Sequence, residues 1–197
     1  MAWIGRLLYN LRGNDSGLWH NDPEILKTPS TIEVTSDDFT HSGLLPLSTG
    51  SDYFINGDNT SPHLKWTNVP EGTQELVLVI QDPDTPTFFT AMHTVVVGIS
   101  PNISSFKAGE LTIPKGSQPP NPHQDGWRFG RAMMGFRGFV GPGPPRGHGP
   151  HRYYFYFYAL KERLPEGAEN WKEGQLLAAV RPLVLARGEI MGTFERS

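Results

Sequence analysis

The sequence predicts a mainly β fold. Three observations carry the prediction. The 197 residues include 22 Gly and 18 Pro without any period, the mark of a chain broken into many turns. Several short segments alternate apolar and polar residues. The run from His151 to Leu160, HRYYFYFYAL, is rich in the aromatic residues that favour strands. Alternate side chains of an extended chain share a face. His151, Tyr153, Phe155 and Phe157 therefore point one way, and Arg152, Tyr154, Tyr156 and Tyr158 the other. Both faces are largely apolar, as in a central strand covered on both sides.

With 37% apolar residues the chain is long enough for one domain with a core. It contains no cysteine, which excludes thiol catalysis, disulfides and Cys-ligated zinc. The formal net charge of −3 hides an uneven distribution. Residues 1–125 hold 6 Lys/Arg against 14 Asp/Glu, residues 126–160 hold five Arg and no acid, and the remainder holds 6 of each. The five are Arg128, Arg131, Arg137, Arg146 and Arg152. Such a block reads equally as a solvated face or as an anion site. The domain is not basic overall and carries no nucleic-acid motif, so no nucleic-acid partner is expected.

Residues 1–30 read as an N-terminal amphipathic helix and a connecting segment, and residues 31–197 as a single domain. Trp3, Ile4, Leu7, Leu8 and Leu11 fall at helical spacing within residues 1–18. That helix either docks on the domain or makes a peripheral contact with a membrane or a partner. Arg6 interrupts any signal-peptide core and no run approaches a bilayer span, so a cytoplasmic location is expected. Thr31–Thr35 alternates as a strand. Leu64 and Trp66 alternate inward after GDNTSPHLKW, and VPEGT reads as a turn. Glu75–Gln81 is a strand with Leu76, Leu78 and Ile80 on one face, a face that Asp82 continues. In QDPDTP, Pro83 and Pro86 favour extended backbone, which puts Asp82 and Asp84 on the same side. Met92–Ile99 is a strand with His93, Val95, Val97 and Ile99 on one face. Pro101–Asp125 is a long surface excursion. GPGPPRGHGP, with prolines fixing φ and glycines freeing it, reads as a stiff wall with exposed amides ahead of the strand at His151. Gln175–Arg187 is helical, either kinked at Pro182 or divided there. The terminal GTFERS is a short strand or tail.

These strand ends and loops deliver Asp82, Asp84, His93, His148, His151 and Tyr153. The motifs GDNTSPHLKW with VPEGT, then DPDTP, then His93 opening a strand, then GPGPPRGHGPHRY, and finally LARGEIMGTFER occur in that order. In these motifs the chain resembles the phosphatidylethanolamine-binding protein family, also called the Raf kinase inhibitor protein family, and most closely its bacterial-type branch. The resemblance spans roughly residues 31 to 197. It implies a β-sandwich of mostly antiparallel strands with peripheral helices, including one near the C-terminus. It also implies a small cavity for phosphate-bearing or phospholipid-headgroup anions such as phosphoethanolamine. By position, the cavity residues would be Asp82, Pro86, His93, Gly143, Pro145, His151 and Tyr153, and Asp84 and His148 adjoin them. The chain departs from the family pattern at Thr85, usually Ala, and at Met92, where animal members carry the first histidine of a pair.

An anion entering such a cavity loses hydration and needs fixed donors. Imidazoles, the Tyr153 hydroxyl and loop amides near Gly143 would supply them, each charge-assisted bond contributing roughly 1.5–3 kcal/mol. Asp82 would orient one histidine and raise its pKa, keeping it cationic. The expected role is binding without catalysis, without a cofactor, and with regulation of a partner enzyme as an added function. The alternatives are a protease inhibitor or signalling scaffold meeting a protease or kinase through its surface, and a metal-dependent enzyme using Asp82, His93 and His151.

Overall fold

The computed structural model describes residues 2–197, and its two sheets are both antiparallel. The small sheet has the order β1–β2–β5, from Glu33–Thr35, Leu64–Thr67 and Ser105–Phe106. The large sheet has the order β6–β4–β3–β7–β8, from Arg128–Phe129, Ala91–Ile99, Glu75–Asp82, His151–Leu160 and Val184–Phe194.

The alternation along β7 is realised. Tyr153, Phe155 and Phe157 join Leu76, Leu78 and Ile80 of β3 and Leu64, Trp66 and Phe106 of the small sheet in one apolar cluster. This is the interior of a sandwich, and Trp66 stacks on Phe157 with centroids 4.3 Å apart. Tyr156 and Tyr158 face the other way, into a second cluster with Val77, Val79, Leu18, Trp19, Ile25, Leu176 and Val180. That outer layer is built from α2, Pro23–Leu26, and α3, Glu173–Val180, with the segment before α2. Both faces of β7 are thus buried. No helix of the described residues is long and apolar enough to cross a membrane.

The expected single face of His93, Val95, Val97 and Ile99 does not form. Two register shifts against β3 put extra residues into β4: Ile80 pairs Thr94 while Gln81 pairs Met92, and Leu76 pairs Ile99 while Leu78 pairs Val96. At the second, Gly98 adopts a φ of +73°, an angle that a β-bulge requires and a side chain resists. Val95 and Val97 therefore face the outer cluster, while Val96 and Ile99 face the interior. At the first shift His93 has no partner on β3.

Two helices also differ from expectation. The C-terminal one stops at Val180, a 3₁₀ turn carries Pro182 over Arg181–Leu183, and Val184, Leu185 and Arg187 belong to β8. Proline divides helix from strand here, and pairing with β7 overrides the helical spacing of Val184 and Leu185. At the N-terminus α1 covers only Ala2–Leu7, Met1 lies outside the described residues, and Trp3 and Leu7 face solvent at 67% and 76% exposure. Of the apolar residues that the spacing suggested, Trp3 and Leu7 do not dock, while Leu8 and Leu11 are half-buried.

Replacing Phe157 with Ala should cost about 3–5 kcal/mol in urea denaturation, by loss of buried area and of its stack on Trp66. Leu47→Ala, at a side chain 83% exposed, should change stability by less than about 0.5 kcal/mol.

Candidate functional site

Four segments deliver one polar cluster inside this apolar frame. Asp82 ends β3, His93 sits at the β4 bulge, His148 ends the Gly/Pro loop, and His151 and Tyr153 open β7. Their exposures are 1%, 3%, 0%, 1% and 2%, so each must find its partners within the protein.

His151 Nδ1 donates to Asp82 Oδ2 at 2.8 Å. His151 Nε2 meets His148 Nδ1 at 2.7 Å, and His148 Nε2 donates to the Leu8 carbonyl at 2.8 Å and the Leu11 carbonyl at 3.1 Å. Carbonyls only accept, so the outer nitrogen of His148 carries a proton, and the contact between the two rings takes one more. His148 itself is pushed below the ordinary imidazole range by burial and then by the charge of His151.

His93 is held differently. Its Nδ1 donates to the Val140 carbonyl at 2.8 Å, its ring stands edge-on to Tyr153 at 5.1 Å, and its Nε2 lies 3.9 Å from Asp82 Oδ2 with no hydrogen-bond partner. Burial lowers its pKa and outweighs the pull of Asp82 and the Val140 bond. At His93, desolvation thus wins over the charge of Asp82. The Tyr153 phenol is raised well above its usual range by burial first and by Asp82 second, with the Gly143 amide acting the other way.

Asp84 does not share the side of Asp82. Asp82 Oδ1 accepts from the Asp84 amide at 2.7 Å, a turn that aspartate side chains make two residues on, and the backbone bends at Pro83. Asp84 instead accepts from the Arg152 amide, Nε and Nη2 at 2.9, 2.8 and 3.0 Å, with Arg12 at 3.4 Å. Burial alone would raise its carboxyl; the Arg152 bonds and charge, with Arg12, hold it below the usual carboxylate range. Pro86 lies half-buried in the following loop, which Thr85 and Thr87 close by donating to the Phe89 carbonyl.

The loop before β7 is tied down more than its glycines suggested. The Gly141 amide donates to Asn59 Oδ1 at 2.8 Å, Gly147 to the Arg196 carbonyl at 2.8 Å and His148 to the Pro145 carbonyl at 3.1 Å. These amides are consumed internally, and the Gly143 amide is the one at the Tyr153 hydroxyl. Gly143 and Pro145 are half-buried. A cavity of about 360 Å³ adjoins the cluster through Val140, but its lining of Tyr53, Asn59, Lys115, Phe136 and Arg137 includes none of the histidines and not Asp82. For a metal, Asp82, His93 and His151 are poorly disposed: both nitrogens of His151 are engaged, and among the described residues no group of three such side chains is arranged around an ion.

A model of the phosphatidylethanolamine-binding protein family matches residues 35–195. The chain belongs to that family. It is 31% identical over 195 residues to phomoidride biosynthesis cluster protein B of a fungus, covering 98% of this chain and 92% of that one. It is 35% identical over 168 residues to a UPF0098 protein of Aquifex aeolicus, covering 84% and 89%. The solved structure of Escherichia coli YbcL superposes with a TM-score of 0.74 at 30% identity, covering 85% of this chain and all of that one. These likenesses put the chain with the bacterial-type members of the family, and its mainly antiparallel sandwich with a C-terminal helix is theirs.

Sequence reasoning missed four participants. The Leu8 and Leu11 carbonyls are main-chain groups with no signature. Val140, which holds His93, reads as an ordinary apolar residue. Arg12, bonded to the His148 and Pro150 carbonyls at 2.8 and 2.9 Å, resembles any helix-face cation.

His93 and His148 bind protons less readily folded than unfolded, so the unfolded chain takes up more protons as pH falls through the ordinary imidazole value of about 6.5. Urea midpoints should therefore drop between pH 7.5 and 5.5, and His93→Asn should flatten that dependence. Stability from Asp84, present above the ordinary Asp value of about 3.9, should be lost only at still lower pH.

Proposed function

We infer that this family member is a small-ligand-binding protein whose site, at Asp82, His93, His151 and Tyr153, takes phosphate-bearing or other oxyanion head groups. The observation that supports this reading is the buried, unpartnered His93 Nε2, 3.9 Å from Asp82 Oδ2. A buried nitrogen without a partner costs roughly 1–3 kcal/mol, which a ligand group bonded there restores. Gly143 and Pro145 form the wall beside it and Pro86 the rim. Asp84 acts at one remove, by fixing Arg152 and with it the start of β7.

The neighbouring carboxylate sets a condition. An anion at His93 Nε2 needs a proton between them, taken up by the ring or brought by the ligand as its own acidic O–H. Binding is therefore linked to proton uptake, and a phosphate monoester in its monoanionic form fits better than a dianion. Titration of inorganic phosphate and of phosphoethanolamine, followed by NMR, should give tighter binding at pH 6 than at pH 8. His93→Ala should weaken binding by about tenfold or more, the equivalent of one charge-assisted bond. Equal affinity at both pH values, or unchanged shifts in His93→Ala, would remove the site from this role.

A second reading, service to a partner enzyme through the surface, is favoured by the adjacent Phe88 and Phe89, 84% and 64% exposed beside Pro86, and by the likeness to a protein named for a biosynthesis cluster. The Phe88→Ser, Phe89→Ser double variant should lose such a partner while retaining phosphate binding.

A further inference from the structure

We propose that residues 5–18 form a displaceable cover over the histidine site, latched by His148, and that ligand reaches the site only when this cover lifts. The inference rests on the site assignment above, since it concerns entry to that site.

The segment lies directly on the cluster. His148 spends its Nε2–H on the Leu8 and Leu11 carbonyls, and it has no exposure at all. Arg12 reaches past it to the His148 and Pro150 carbonyls and to Asp84. The Gly13 amide donates to the Thr85 carbonyl at 2.8 Å, and Thr90 Oγ1 donates to the Asn14 carbonyl at 2.7 Å. The two lips of the site, the 83–90 loop and the 146–150 loop, are thus bridged by one strand of chain.

What holds the cover is polar and local. Gly5 packs so closely that a Cβ there would stand 2.0 Å from the Arg146 carbonyl oxygen, and one at Gly13 would stand 2.6 Å from that of Pro83. The side chains of Trp3, Leu7 and Tyr9 are 67%, 76% and 51% exposed, so these large side chains add little apolar burial to the closed state. Leu8 and Leu11 are half-buried, and full side-chain burial comes at Leu18 and Trp19, 2% and 1% exposed, where the chain enters the outer cluster. An anchored end, a few main-chain hydrogen bonds and little buried hydrocarbon describe a segment that opens locally well before the domain unfolds. The cover also precedes the residues that match the family model, which begin at residue 35.

The test needs no ligand. Full-length protein is treated with diethyl pyrocarbonate, and modification of each histidine is followed by mass spectrometry, with exposed His41 as the internal reference. In the wild type His148 should react at least about tenfold more slowly than His41. Gly5→Ala, which wedges the segment off Arg146, and Arg12→Ala, which removes its far tie, should each raise the His148 rate severalfold while leaving His41 unchanged. His148 reacting equally in the wild type and both variants overturns the cover. Should either variant fold poorly, hydrogen exchange on the wild type decides: the Leu11 and Gly13 amides should exchange at least about a hundredfold faster than those of β7, and equal protection overturns the proposal. Accelerated His148 modification without phosphate shifts would leave the cover standing and remove the anion assignment. Phosphate shifts with unaltered His148 reactivity would do the reverse.

Discussion

A carboxylate 1% exposed at the end of an interior strand is the constraint around which the site is arranged. A carboxyl group in that position is tolerable only with hydrogen-bond partners close by. The fold supplies them from parts of the chain far apart in sequence: His151 from the next strand, His148 from the loop before it, and through His148 the carbonyls of Leu8 and Leu11. One hydrogen-bonded chain thus runs from the middle of the large sheet to the N-terminal segment. Replacing any link leaves a buried polar group without its partner.

The sheet makes this arrangement stiff. β3 and β7 are neighbours with both faces packed, so Asp82 and His151 are set by register and not by loop conformation. His93 is brought in by the β4 bulge, which aims a residue out of alternation at the cost of one unpaired position. The Asp84–Arg152 pair then fixes the back of the corner. Against this rigid background, His93 Nε2 is the atom of the cluster that has no partner among the described residues, and the N-terminal segment is tied to the cluster by hydrogen bonds from His148 and Arg12.

Much of this was legible in the residues, and the rest was hidden for physical reasons. The period of two in HRYYFYFYAL gave the correct faces of β7, because both faces are filled and nothing perturbs the pleat. The same reasoning failed on MHTVVVGI, since two bulges invert the alternation and nothing but Gly98 hints at one. Asp82 and Asp84 were placed together on the premise of extended backbone, but an aspartate side chain can turn its own chain, and this one does. The pairing of His148 with His151 depends on how a Gly-Pro step folds between them, and the pairing of His148 with Leu8 and Leu11 depends on carbonyls that every residue possesses. Helical spacing misled at both ends of the chain: at Val184 and Leu185 because strand pairing with β7 competes and wins, and at Leu8 and Leu11 because their carbonyls go to His148.

The most direct measurement is the imidazole ¹⁵N spectrum of the full-length protein at neutral pH, with His148 and His151 assigned by single replacement. The account requires His148 Nε2 to carry the proton it donates to the Leu8 and Leu11 carbonyls, with Nδ1 turned to His151. A neutral His148 protonated at Nδ1 instead would contradict the link from the cluster to the N-terminal segment.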